Sequence, residues 1–195
     1  MRVLVVYSHP VETSFNASLH RDVVDRLRAA GHEVDDCDLY AEGFDPVMGR
    51  AERLGYHEVP RNREPVREHV ERLLRAEAIV FCFPTWCFGL PAMLKGWFDR
   101  VFMPGVAFDF SDPGKVRPAL THLKRVSAVV TYGRPRWIAW AMGDPPRKII
   151  TRYLRMLTGG RARIRYHACY HMNTATPERL ARFRARTLDA MARLA

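Results

Sequence analysis

The sequence predicts an α/β fold in which helices cover both faces of a parallel β-sheet. Short apolar runs rich in β-branched residues alternate along the chain with longer segments whose apolar residues recur every three or four positions. The most apolar runs show no polar alternation, so they fit central strands that are buried on both faces. Strands that alternate with helices in this way form a parallel sheet.

The first part of the chain contains a strand, a loop, a helix and a second strand. Residues 3–7 are the first strand, and residues 8–13 are a polar loop. Ser14 is suited to cap the following helix because a serine hydroxyl accepts from the free backbone N–H groups of a first turn. Gly31 ends this helix, and residues 33–39 alternate well enough for a second strand. The apolar residues of the helix are Leu19, Val23, Val24 and Leu27.

The rest of the chain continues the alternation and brings the number of strands to five. Residues 40–61 carry few regular signals. Further strands are predicted over residues 79–83, 126–131 and 163–170. Further helices are predicted around Val66, Val70, Leu73 and Leu74, after Pro91, and over residues 147–157 and 177–194. Five strands fit the flavodoxin-like order, in which ligands bind at the carboxyl ends of the strands, and we expect one domain over residues 1–195.

Composition excludes several classes of protein. The 195 residues are 48% hydrophobic and 27% charged, which is globular rather than disordered or collagen-like. The four cysteines form no C-x-x-C pair and we find no signal peptide, so we expect a cytoplasmic protein with reduced thiols. The longest uncharged stretch, residues 78–94, contains two prolines and a glycine, so we expect no membrane span.

The positive charge is concentrated in the last third of the chain. Residues 1–133 carry 17 basic and 18 acidic side chains, whereas residues 134–195 carry 14 basic and 3 acidic ones. This excess has two interpretations of similar weight, a solvated arginine-rich surface or a phosphate-bearing ligand. A nucleic acid is not expected as a partner, because no helix-turn-helix, zinc-finger or RNA-binding pattern accompanies the charge.

The loop after the first strand is a candidate anion site. It is rich in hydroxyl groups and leads directly into a helix N-terminus, where free N–H groups and the helix dipole favour negative charge. It contains neither the G-x-G-x-x-G nor the P-loop pattern, which argues against dinucleotide-binding and triphosphatase loops of those types. Taken alone, an ordinary serine cap explains it better. The candidate donors are His9, Thr13, Ser14, Asn16 and Ser18.

The loop after the third strand carries aromatic side chains. Trp86 and Phe88 flank Cys87 in a loop where both cannot be ordinary core residues, and loop aromatics often form the wall of a site for a flat ligand. The apolar residues that follow Pro91 are core instead, because they keep helical spacing. No base is visible beside Cys87, so a structural thiol is the better interpretation.

Taken together, the two loops resemble the NAD(P)H:quinone oxidoreductase family of flavodoxin-like flavoproteins. The stretch V-Y-S-H-P-x-x-x-S-F-N, which ends at Asn16, is similar to that family's flavin-phosphate loop. The stretch F-P-x-x-x-F-G-x-P-A-x-L-K-G-W-F-D-R-V-F, which begins at Phe83, is similar to its isoalloxazine-side loop and the following helix. The D-L-Y step that ends at Tyr40 is similar too. The resemblance covers about residues 1–133 and is poor beyond Arg134.

The resemblance implies a set of flavin-binding residues. His9, Ser14, Phe15, Asn16 and Ser18 would hold the phosphate or the ribityl chain. Pro84, Thr85, Trp86, Cys87 and Phe88 would line the ring, and Thr131, Tyr132, Gly133 and Arg134 match the loop after the fourth strand. The cofactor would be FMN or FAD, and NAD(P)H would be the co-substrate.

This chain departs from the family pattern at the fourth loop. Two threonines and two glycines are usual there, and Tyr132 and Arg134 replace two of them. Some members place a tyrosine and a histidine soon afterwards to stabilise charge on the reduced flavin, but here no histidine occurs before His167. Our candidates for that role are the backbone N–H groups at Tyr132 and Gly133, with Arg134 or Arg136. Either arginine serves equally well for the 2′-phosphate of NADPH.

The function that the resemblance implies is two-electron, ping-pong transfer from NAD(P)H through flavin to a quinone-like acceptor, by a homodimer. Azo dyes, nitroaromatics or free flavin are alternative acceptors. A second class of function is a regulatory subunit of a potassium efflux system, in which the basic last third docks on an acidic partner. A one-electron carrier is disfavoured by that basic segment. We expect no metal site, since His167, Cys169 and His171 alternate on a predicted strand without an evident further ligand.

Overall fold

The computed structural model describes residues 1–112 and 114–194 and contains the predicted five-stranded parallel sheet. The strands are β1 (Arg2–Tyr7), β2 (Glu33–Asp38), β3 (Ala78–Pro84), β4 (Phe108–Asp109), β5 (Arg117–Pro118), β6 (Arg125–Thr131) and β7 (Arg163–Cys169). Their order in the main sheet is β2-β1-β3-β6-β7, which confirms the flavodoxin-like prediction. The short strands β4 and β5 form a separate antiparallel pair that the sequence did not predict.

Helices pack on both faces of the sheet. They are α1 (Phe15–Ala29), α2 (Arg50–Leu54), α3 (Arg67–Arg75), α4 (Ala92–Val101), α5 (Arg136–Ala141), α6 (Pro145–Lys148), α7 (Leu154–Leu157) and α8 (Pro177–Ala192). One core cluster joins the sheet to α1 and α8, and a second joins its other face to α3, α4 and the helical segment before β7. The two clusters divide β1, because Val3 and Val5 face α1 while Leu4 and Val6 face the opposite layer.

Two predicted segments have a different form in the structure. Residues 40–61 were predicted to be irregular but include α2, and a 3₁₀ helix, Arg61–Val66, precedes α3, so that Val66 lies before the α-helix. The helix predicted over residues 147–157 begins two residues earlier and is divided into α6, a π-helical turn (Ile149–Tyr153) and α7. The spacing of apolar residues along the sequence does not distinguish an α-helical turn from a π-helical one.

One close approach fixes how the segment after β2 passes over α4. A Cβ atom at Gly96 would collide with the backbone of Pro46, so only glycine allows this contact. None of the helices in residues 1–112 and 114–194 combines the length and the apolar character that a membrane crossing needs.

Candidate active site

Three loops meet at the carboxyl edge of the sheet, where the central strands β1, β3 and β6 lie side by side. Asn16 Nδ2 donates to Thr131 Oγ1 at 3.4 Å, which joins the first loop to the third. The backbone N–H and the hydroxyl of Thr85 both donate to the Thr131 carbonyl oxygen, at 2.8 and 3.1 Å. The rings of His9 and Trp86 meet edge to face, with centroids 5.8 Å apart. The structure therefore brings together the loops that the sequence singled out separately.

The N-terminus of α1 offers free donors to an anion. The Ser14 hydroxyl accepts from the Ala17 N–H at 3.1 Å, which confirms the predicted cap. The N–H groups of Phe15 and Asn16 have no hydrogen-bond partner within the described residues. The first turn contains no acidic side chain. These features give the helix end an unneutralised positive potential, which suits a phosphate group.

His9 adds a directed donor beside this helix end. Its Nδ1 accepts from the Val11 N–H at 3.0 Å, so the neutral ring carries its proton on Nε2. Burial lowers the pKa of His9, which keeps the ring neutral at pH 7. A neutral imidazole with Nε2–H available can donate one hydrogen bond to an oxygen of a bound ligand.

Buried polar atoms without partners cluster at the same loop. They include Tyr7 Oη, Ser8 Oγ and Asn16 Oδ1. Buried polar groups are normally hydrogen-bonded, so a concentration of unpaired ones indicates a place where ligand or solvent atoms complete the pairing. Burial also raises the pKa of Tyr7 to about 12, so its hydroxyl stays protonated and available as a donor. The donor and acceptor set fits the polar tail of a phosphorylated ligand.

The loop after β3 is a tight turn held in a strained backbone conformation. Cys87 and Phe88 have φ angles of 48° and 58°, and the Gly89 N–H donates to the Trp86 carbonyl oxygen at 2.8 Å. Two consecutive non-glycine residues with positive φ are uncommon, and such strain is concentrated at functional sites. The turn leaves the Trp86 side chain 42% exposed. It therefore presents an aromatic surface beside the anion site.

Four candidate residues lie in or just after the loop that follows β6, and Tyr132 differs from the other three, Gly133, Arg134 and Arg136. Tyr132 is only 1% exposed, its N–H donates to the Cys169 carbonyl oxygen, and its hydroxyl bonds to Asp144. Neither donor of Tyr132 is free for a ligand, contrary to the sequence-based assignment, because the ring turns into the core. Arg134 and Arg136 are exposed, and their guanidinium groups make no hydrogen bond or ion pair within the described residues. The Gly133 N–H likewise has no hydrogen-bond partner within the described residues.

Four other residues that the sequence predicted to bind the cofactor are Thr13, Phe15, Ser18 and Pro84. Thr13 is exposed, and Pro84 is buried at the end of β3. Phe15 packs against the α1–α8 core. The Ser18 hydroxyl is already engaged, because it donates to the Phe15 carbonyl oxygen at 2.9 Å and accepts from Arg184 at 2.8 Å. Ser18 therefore supports the first turn of α1 from behind.

Sequence reasoning did not identify three residues that contact these loops. Arg184 reaches Ser18 from α8, and Asn173 lies beside Gly133, where its Oδ1 would stand 3.2 Å from an added Cβ. Asp144 accepts from Tyr132 at 2.6 Å. No local pattern marks them, because each comes from a segment distant in sequence from the residue that it contacts.

The histidine and cysteine residues of the last strand do not converge. β7 ends at Cys169, and His171 lies beyond it with a φ of 59°, so the predicted alternation does not continue to His171. A different trio, Cys37, Glu42 and His69, has potential ligand atoms within 4.8 Å of one another. These atoms already have partners, since Arg72 donates to both Glu42 oxygens at 2.8 Å and Trp97 Nε1 donates to His69 Nδ1.

The sheet order and its helical layers define a flavodoxin-like protein, whose candidate ligand site lies at the carboxyl edge of the sheet. A family model described as the flavodoxin-like fold matches residues 1–191. Among solved structures, the chain is similar to an NAD(P)H:quinone oxidoreductase from Methanothermobacter marburgensis, with a TM-score of 0.85 and 24% identity over 100% of this chain and 99% of that chain. It is also similar to an FMN-dependent NADH-azoreductase from Bacillus anthracis in complex with FMN, with a TM-score of 0.78 and 16% identity over 100% of both chains.

Comparison with related sequences shows which flavodoxin-like proteins this chain resembles in sequence. The chain is 33% identical to NAD(P)H dehydrogenase [quinone] 1 of Cavia porcellus over 126 residues, which are 56% of this chain and 46% of that protein. It is 35% identical to the ribosyldihydronicotinamide dehydrogenase [quinone] of Pongo abelii over 148 residues, which are 68% of this chain and 63% of that protein. These matches span about half to just under two thirds of the relatives' length. The chain belongs to the flavodoxin-like family, and its relatives include these quinone dehydrogenases.

Proposed function

We propose that this chain is a flavin-dependent NAD(P)H:quinone oxidoreductase. The observation that carries the proposal is the junction of three loops at the carboxyl edge of the sheet, which sets an anion-binding helix end beside an aromatic turn and two unpaired arginines. The activities of the two relatives support it, because both are quinone dehydrogenases. A phosphorylated, flat, redox-active ligand matches all three features.

Each loop would hold a different part of the cofactor. The N–H groups of Phe15 and Asn16 and the Ser14 cap would bind the phosphate, with His9 Nε2–H as a further donor. Trp86 and the strained turn at Cys87 and Phe88 would line the ring.

The loop after β6 would supply the electrostatic contribution. A bound flavin would supply the hydride and two-electron chemistry that links NAD(P)H to an acceptor. The Gly133 N–H and the guanidinium groups of Arg134 and Arg136 would provide preset positive charge at the polar end of the ring. Arginine would then take the place of the missing family histidine. Quinones are the proposed acceptor, and the exposed Trp86 also suits azo and nitroaromatic compounds.

The same proposal includes the identity of the cofactor and the oligomeric state of the protein. FMN or FAD satisfies the phosphate site, and NAD(P)H is the proposed donor. We propose a cytoplasmic homodimer in which residues 1–195 form one flavin-binding domain. The exposed indoles of Trp137 and Trp140, at 69% and 79%, support a second copy covering this side of the site. The free thiols of all four cysteines are consistent with a reducing compartment.

Colour is the first test of this proposal. The purified protein, incubated separately with FMN and FAD and then desalted, should be yellow with one or both. Anaerobic NADH or NADPH should bleach the colour, and a quinone should restore it. Colour that no nicotinamide bleaches would contradict the enzymatic proposal and leave a flavin-binding regulator. A protein that retains neither flavin would contradict the proposed cofactor.

A further inference from the structure

Asp144 lies in a partly buried polar cluster next to the loop after β6. Its carboxylate accepts from the Tyr132 hydroxyl at 2.6 Å and from Arg147 Nε at 2.9 Å. Tyr132 also meets the Tyr166 hydroxyl at 2.5 Å, and Arg147 donates to the Tyr170 hydroxyl at 2.8 Å. The Arg147 guanidinium stands 4.4 Å from the centroid of the Tyr166 ring. We name these five residues the Asp144 cluster.

The cluster joins segments that carry the proposed site. Tyr132 immediately precedes Gly133 and Arg134, and Tyr166 and Tyr170 lie on and just after β7. The Asp144 backbone closes α5 by donating to the Ala139 carbonyl oxygen at 2.8 Å, and its own carbonyl oxygen accepts from Lys148 at the start of the next helix. Asp144 therefore connects the loop after β6, helix α5 and the segment before β7.

Helix α5 is not held by its own packing. It has six residues, and only Ala139 among them is buried. A helix this short is unstable by itself, so its position must be imposed from outside. Arg136 begins this helix, and Trp137 and Trp140 project from it into solvent. The Asp144 N–H, which donates to the Ala139 carbonyl oxygen, is a polar anchor at the end of this helix.

The conformation of Asp144 is itself unusual. Its φ is 44°, in the left-handed region, and it lies between Gly143 and two consecutive prolines. Its side chain is 13% exposed. A buried, paired carboxylate is weak evidence for stability, since apolar residues often replace such pairs without loss. Strain together with a buried charge indicates that the arrangement is retained for a particular geometry.

We propose that Asp144 is a positioning residue for the site: through Tyr132 and Arg147 it holds Gly133, Arg134 and Arg136 in the orientation that flavin binding and reduction require. This inference rests on the proposed function. Asp144 is not proposed to touch a ligand itself, because its carboxylate is 13% exposed and is already engaged by Tyr132 and Arg147. Its effect passes through the hydroxyl of Tyr132 and through the backbone of α5.

The test uses Asp144→Asn and Tyr132→Phe, which remove the charge and the hydroxyl while keeping side-chain volume. Glu52→Gln is the matched control, because Glu52 accepts from Arg100 at 2.9 Å outside the three loops and its carboxylate, 10% exposed, is about as buried as that of Asp144. In the flavin-free protein, amide hydrogen exchange over residues 133–143 should accelerate in both test variants and not in Glu52→Gln, with β1 unchanged in all three.

In the flavin-loaded protein, both test variants should bind FMN about tenfold more weakly, which is the scale of coupling between contacting residues. The visible circular dichroism of bound FMN should change, and reduction by NADPH should slow. The double variant should lose less than the sum of the two single losses, since both substitutions act on the hydrogen bond between Tyr132 and Asp144. Equal losses in Glu52→Gln, or additive losses in the double variant, would overturn the inference.

The two proposals fail in different ways. If the unaltered chain binds no flavin, the proposed function fails, and with it the role of Asp144 in flavin binding. Unchanged hydrogen exchange in Asp144→Asn would instead overturn the anchoring of α5, whether or not the chain binds flavin.

Discussion

The loops after β1 and β6 contribute to one site but are held in place by different means. The loop after β1 is fixed by neighbours in sequence, since Ser14 caps α1 and His9 accepts from Val11 two residues away. The loop after β6 is fixed by residues distant in sequence, since Tyr132 bonds to Asp144 and Tyr166. The first loop is a local motif, whereas the second depends on the assembled fold.

Because of this difference, we expect the two loops to affect different properties: the loop after β1 cofactor affinity, and the loop after β6 the rate of flavin reduction. The Ser14 cap joins residues only three positions apart, so the proposed anion site depends less on distant segments than the loop after β6 does. The donors of the loop after β6 keep their orientation only while the segment from Pro135 to β7 is in place. We therefore expect substitutions near α1 to act on affinity for the phosphate, and substitutions near Gly133 to act on the reduction step.

The largest effect should come from Asn16→Asp. This change places a carboxylate next to the proposed phosphate in a buried position, where two like charges about 4 Å apart repel by roughly 4 kcal/mol. Binding of FMN, measured by fluorescence quenching, should weaken at least a hundredfold. Asn16→Ala is the neutral control and should lose much less. If Asn16→Asp and the unaltered chain bound FMN with equal affinity, the phosphate would not bind at the start of α1.

Neutralising the exposed arginines should have the next largest effect. Arg134→Gln and Arg136→Gln should each slow anaerobic flavin reduction about tenfold in stopped-flow measurements, because preset positive charge is lost. Arg155→Gln, another exposed arginine in the basic third, serves as the control. Slowing with both NADH and NADPH indicates charge stabilisation, and slowing with NADPH alone indicates contact with its 2′-phosphate. Unchanged reduction by both nicotinamides in both variants would eliminate the assignment.

The smallest effect should come from the cap of α1. Ser14→Ala should lower the free energy of unfolding by about 1 kcal/mol and weaken FMN binding severalfold. Thr176→Ala is a matched control, because the Thr176 hydroxyl caps α8 by accepting from the Arg179 N–H. Chemical denaturation should show similar losses for the two variants, and a flavin titration should separate them. If both variants bound FMN as the unaltered chain does, the α1 cap would have no part in binding.

Predictability from sequence follows the same division as the two loops. The strands of the main sheet, the Ser14 cap and the stop at Gly31 could be predicted, because apolar runs and capping residues act over a few neighbouring positions. The inward turn of Tyr132 could not be predicted. A tyrosine after a buried strand reads equally well as a site residue or as core, and its partner Asp144 lies twelve positions away in an irregular segment.

The residues themselves determined the parallel sheet, the anion-binding start of α1 and the aromatic turn at Trp86, since each depends on local periodicity, hydroxyl groups or ring type. Only the tertiary structure decided that Thr131 joins these loops, that Tyr132 faces the core and that Asp144 anchors α5. The physical reason is that hydrogen bonds between distant segments require the chain to be assembled before the donor and the acceptor meet, and no spacing along the sequence records which pairs will do so.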